Sequence, residues 1–145
     1  MMVNIYTKDF DNGEFSDTLS KEQRKRARVM MAKQLCEILE TNTDDNLYWM
    51  GSKTDLMDFV HEVFVSGMLS DRQGRPYRFK TLARRACAVL HMPEPANVYS
   101  IVYNSHSRKG IRQKSFFSRY CWMMYCRNSQ NPINSMIKKM GRSYL

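Results

Sequence analysis

The chain has 145 residues, 43% hydrophobic and 12% aromatic, which suffices for one domain with a real core and excludes a disordered tail. Its net charge of +9 is one-sided: residues 1–70 hold 8 Lys/Arg against 12 Asp/Glu, and residues 71–145 hold 15 Lys/Arg with only Asp71 and Glu94 as acids. That split, −4 against +13, points the second half at a polyanion, nucleic acid ahead of an anionic membrane surface.

Residues 1–19 are acidic and polar, with a turn signal at Asn12-Gly13, and suggest an irregular or lightly β lead-in. They show no basic n-region or apolar h-region, and no apolar stretch is long enough for a transmembrane helix, so a cytoplasmic protein without membrane partner is expected. Ser20 with Gln23 three residues on forms a capping box and opens a helix over 21–40. Its inward stripe reads Val29, Ala32, Leu35, Cys36, Ile38 and Leu39, with Lys25, Arg28 and Lys33 outside. After a polar break, Leu47 to Met50 predict a short strand or a packed approach to the next helix. Ser52 caps that helix, Asp55 favours its positive end, Leu56, Phe59, Val60, Val63 and Phe64 form its apolar face, and Gly67 closes it.

Ser70 to Pro76 predicts a polar loop or hairpin. A third helix is expected over 79–91, with Leu82, Ala86, Val89 and Leu90 inward, ended by the stiff Met92-Pro93-Glu94-Pro95 break. A fourth follows over 96–108, with Val98, Ile101 and Val102 inward, up to Gly110. A fifth covers 114–127, with Phe117, Tyr120, Cys121 and Met124 on one stripe, and Pro132 opens a last short helix carrying Ile133, Met136, Ile137 and Met140. The fold class is therefore mainly α: five to six helices with a helix-turn-helix or winged-helix-like core and at most a short strand or hairpin. Residues 1–46 form a lead-in and supporting helix, and 47–145 the basic unit.

Nothing in the chain assembles a catalytic centre. His61, His91 and His106 are far apart, no Ser or Cys sits in a nucleophile motif, and the glycines form no phosphate loop. Cys36 and Cys87 read as buried thiols, and Cys121 and Cys126, five apart without a matching His, do not have zinc spacing. No enzyme, metal or cofactor is expected. The constellation that stands out is helix 79–91, a short turn and helix 96–108, the dimensions of a helix-turn-helix. In such a motif the start of the second helix meets base edges, which makes Asn97, Tyr99, Ser100 and Asn104 the base-facing candidates. Lys80, Arg84, Arg85, Arg108, Lys109, Arg112 and Lys114 are the phosphate candidates.

The segment Tyr48-Trp49-Met50-Gly51-Ser52-Lys53-Thr54-Asp55-Leu56, followed by an amphipathic helix ending in Ser66-Gly67, resembles the C-terminal part of the RteC family, regulatory proteins of conjugative transposons. A polar loop, a helix, a short break and a helix running into Arg108-Lys109 follow in the family's order, so that the resemblance spans about residues 47–125. It implies a winged-helix-like DNA-binding domain acting in transcriptional control on a mobile element. The expected partner is double-stranded DNA, with another regulatory protein as a further candidate. The alternative is a protein-interaction module whose basic surface docks an acidic partner.

Overall fold

Most helix starts among the described residues are set by short polar side chains that turn back on the backbone. In the computed structural model, which describes residues 14–41, 45–108 and 115–140 (for 105–108 the helical backbone only), the hydroxyls of Ser20, Ser52 and Ser115 accept from the N–H groups of Gln23, Asp55 and Ser118 at 3.0, 3.0 and 3.2 Å. Each satisfies an N–H that the first helical turn leaves without a partner. They open α1 (Lys21–Leu39), α2 (Lys53–Ser66) and α5 (Phe116–Tyr125). The Ser20–Gln23 capping box is complete in both directions. Gly67 closes α2 in the left-handed region at φ 68°, where any other residue would be strained.

Between α2 and α5 lie α3 (Phe79–Val89) and α4 (Val98–Arg108), giving five α-helices among the described residues. Two strands complete the fold, β1 (Leu47–Trp49) and β2 (Ile137–Lys139). They pair antiparallel with Leu47 opposite Lys139 and Trp49 opposite Ile137, and so tie the chain after α1 to its C-terminal end. The protein is mainly α, as its composition and periodicity predict, with a two-stranded sheet whose strands come from distant parts of the chain.

Helix α2 is the centre. It packs against each of the other four helices, which is why seven of its residues from Asp55 to Val63 are buried. One continuous core runs from Ala27, Met31 and Leu35 of α1 through Leu56, Phe59 and Val60 to Phe116, Tyr120 and Ile133. Through it the rings of Trp49, Phe59, Phe116 and Tyr120 follow one another at 6.2, 5.9 and 6.4 Å. Gln34, buried on α1, accepts from the Tyr120 hydroxyl at 2.8 Å and donates to Asn131 at 2.8 Å, so its one buried amide is paired at both ends. A single 3-10 turn (Phe15–Thr18) precedes α1 and locks onto the start of α5: Ser16 N–H donates to the Ser118 hydroxyl at 3.0 Å and Glu14 accepts from Ser115 N–H at 2.8 Å.

Several sequence expectations are corrected. The residues just before α1 form this 3-10 turn and no strand. Val29 is 47% exposed, because the buried stripe of α1 runs through Ala27, Met31, Gln34 and Leu35, and Cys36 is only half-buried. Helix α3 ends at Val89, before His91. That residue turns left-handed at φ 55°, Met92 N–H bonds back to the Cys87 carbonyl, and the imidazole Nδ1–H donates to Leu47 O at 2.7 Å while its ring stacks on Tyr48. The helix is thus closed by a local left-handed cap held from β1, ahead of the prolines. The connection to α4 consequently spans residues 90–97 and is longer than the four-residue break. Pro132 opens a 3-10 turn (Pro132–Met136) that gives way to β2 at Ile137 where a helix was expected. Asn12-Gly13 and Gly110 lie outside the described residues.

Candidate nucleic-acid interface

Helices α3 and α4 both pack on α2 and leave their outer faces to solvent. On α3 the buried residues are Phe79, Leu82, Ala83, Ala86, Cys87 and Val89, so the outward side is Lys80, Thr81, Arg84, Arg85 and Ala88, preceded by exposed Arg78. On α4, Val98 and Val102 are buried, and Tyr99, Ser100, Tyr103 and Asn104 face out. The two surfaces meet where the Tyr99 ring stands edge-on to Phe79 at 5.2 Å and 71°, which sets the start of α4 beside the cationic start of α3. Neither helix carries an acid in its first turn, so no carboxylate there offsets the positive end of either dipole.

The candidates fall into distinct circumstances. Asn97 is the cap of α4: its Oδ1 accepts from Tyr99 N–H and Ser100 N–H, both at 3.1 Å, which occupies the carbonyl half of the amide. Tyr99 and Ser100 are exposed in the first turn, and Asn104 is exposed one turn on. Lys80 is exposed. Arg84 reaches Glu94 at 3.6 Å, an exposed pair worth under about 1 kcal/mol and readily exchanged for another anion. Arg85 donates to the Leu39 carbonyl at 2.7 Å and so caps the end of α1. The Arg108 side chain, Lys109, Arg112 and Lys114 lie outside the described residues. Two residues of this face escaped the sequence reading. Arg78 stands at the cap position of α3, and Tyr103, 73% exposed, lies one turn beyond Tyr99. The signal for Tyr103 was the four-residue spacing to Tyr99, which puts both on one face of the helix.

Elsewhere several charges serve the fold. Asp55, expected to act through the α2 dipole, is also gripped by both terminal nitrogens of Arg119 (2.9 Å from Nη1, and shorter still at 2.6 Å from Nη2), and that hydrogen bonding raises the Arg119 pKa against the opposing effect of burial. Asp71 closes the loop before α3 by accepting from the backbone N–H groups of Gln73 and Arg75, the latter first in holding its carboxyl below the usual range. A cleft of about 730 Å³ between α1 and the turn after α5 is lined by Arg26, Lys33, Gln34, Glu37 and Tyr125 among others, with no Cys or His. Among the described residues no cluster of His, Cys, Asp and Glu is arranged to hold a metal ion, and no helix is long and apolar enough to cross a membrane.

Burial pushes the thiol of Cys87 up to about 11 and that of Cys121 up to about 12, so both are protonated and inert near neutrality. Maleimide labelling of the native protein is expected to modify exposed Cys126 first, Cys36 more slowly, and Cys87 and Cys121 only on unfolding. Labelling of Cys87 at the rate of Cys126 would contradict the packing of α3 on α2.

No family model, curated protein or solved structure matches this chain.

Proposed function

We propose that the chain is a DNA-binding transcriptional regulator, without enzymatic activity, that lays α4 against duplex DNA with α3 alongside the phosphate backbone as a helix-turn-helix pair does. The observation that carries this reading is the one-sided charge, because a +13 half whose cations flank an exposed, uncharged helix start suits a polyanion with readable edges. Arg78, Lys80 and Arg84 are the phosphate contacts among the described side chains, and Arg108, Lys109, Arg112 and Lys114 extend the set on the basis of sequence. The resemblance at Tyr48 to Leu56 supports a regulator of the kind carried by conjugative transposons.

Salt dependence tests the proposal. Fluorescence anisotropy with a labelled duplex at several salt concentrations is expected to give a log–log slope of about −0.9 for each phosphate neutralised. Lys80→Gln and Arg78→Gln are each expected to flatten that slope by about one and to weaken all sequences alike. Affinity that is flat against salt, or no retention of any duplex at low salt, would overturn the proposal. A pull-down in which an acidic protein is retained and lost on charge reversal of Arg84, with DNA never retained, would favour an interaction module in its place.

A further inference from the structure

We infer that α4 prefers A·T pairs, and that it recognises them through contact of the Tyr99 and Tyr103 rings with thymine methyl groups in the major groove; this rests on the DNA-binding reading above. The inference follows from what the start of α4 lacks and what it displays. Residues 97–104, Asn-Val-Tyr-Ser-Ile-Val-Tyr-Asn, contain no Lys, Arg, Asp or Glu. Guanine offers two acceptors in the major groove and is read by a cationic donor pair, and cytosine offers a donor that a carboxylate accepts. Neither kind of reader is present on this stretch. The amide of Asn97, the group there suited to pair in two places with adenine, has its oxygen committed to two backbone N–H groups.

What remains on display is a pair of phenol rings one helical turn apart, 56% and 73% exposed, with Ser100 also exposed in the first turn. An apolar ring edge or face suits the single apolar feature of the major groove, the 5-methyl of thymine. The first ring is also positioned before any ligand arrives. Tyr99 stands against Phe79, which is fully buried and itself packed against Phe64 at 5.7 Å and His61 at 5.0 Å of α2. A ring anchored this way loses little freedom on binding, which makes weak methyl contacts count.

The experiment is selection from a random duplex library followed by binding to the selected duplex with thymine replaced by uracil, which deletes only the methyl groups. The wild type is expected to select A·T-rich sites and to bind the uracil duplex about fourfold more weakly for each methyl contacted, the value of one buried methyl group. Tyr103→Ala is expected to bind the thymine duplex more weakly and to show a uracil penalty about fourfold smaller than the wild type, keeping the share due to Tyr99. Tyr103→Phe keeps the ring and is expected to keep the uracil penalty, with far-ultraviolet circular dichroism confirming the fold of both. The salt slope is expected to be the same in all three, since no phosphate contact is removed. Duplex binding with a normal salt slope but G·C-rich selection, or a uracil penalty unchanged in Tyr103→Ala, would overturn this inference alone. Failure to bind any duplex at low salt would overturn the DNA-binding reading and this inference with it.

Discussion

Phe59→Ala is expected to lower the unfolding free energy by about 3–5 kcal/mol, the range measured for a fully buried phenylalanine truncated in a packed core. Phe59 has no exposed surface and sits on the helix that every other helix touches, with Trp49 on one side and Phe116 on the other. The cavity would therefore open between β1, α2 and α5 together, where no single side chain can swing in to fill it. For a domain whose total stability lies at about 5–15 kcal/mol, the variant loses a large fraction of its margin. Urea unfolding should show a midpoint shifted far down with an unchanged slope. Val65→Ala on the same helix, 65% exposed, is the control and is expected to stay within about 0.5 kcal/mol. A small effect at Phe59 would mean that α2 is not the hub of the core.

How much of this was legible beforehand follows the range of the interactions. The caps at Ser20 and Ser52 and the left-handed Gly67 are local devices, written within three or four residues, and the helices they bound lie where periodicity puts them. The Gly-Ser-Lys-Thr-Asp-Leu string carries physical sense as well: Ser52 caps α2, and a Cβ on Gly51 would stand 3.0 Å from the Trp49 indole nitrogen, which donates to the Ser52 carbonyl. What could not be read is fixed across the chain. β2 is Ile-Lys-Lys, with one apolar residue, and becomes a strand because β1 offers it a partner some ninety positions earlier in the chain. His91 can take a left-handed turn because Leu47 and Tyr48 hold its ring. At the proposed interface the charged half and the exposed side of α4 were legible. That Asn97 spends its carbonyl on a cap and that Arg85 closes α1 depended on the folded arrangement, whereas the four-residue spacing of Tyr99 and Tyr103 was there to be read.

The Asp55–Arg119 pair is the other place where a single change should cost most, and its two halves should not cost the same. Asp55 is buried at 8% exposure, whereas the Arg119 side chain keeps a third of its surface and lies 5.7 Å over the Phe116 ring. Removing the guanidinium strands a buried carboxylate; removing the carboxylate leaves a cation that can still reach water. Arg119→Met, which keeps the apolar stem over Phe116, is expected to cost about 2–4 kcal/mol, toward the lower end for breaking a buried pair because solvent still touches one side and the α2 N-terminus partly compensates the stranded charge. Asp55→Asn is expected to cost less, about 1–2 kcal/mol, since an amide oxygen still accepts from Arg119. Asp55→Asn with Arg119→Met should cost less than the sum, because once the guanidinium is gone the neutral amide no longer strands a charge, and the cycle should return a coupling of about 1–3 kcal/mol. Raising the salt concentration should leave that coupling largely intact while erasing any contribution from the exposed Arg75–Asp71 pair, since buried charges are screened least. Equal single-variant costs, or additivity in the double variant, would show that solvent and not α2 is the principal partner of Arg119.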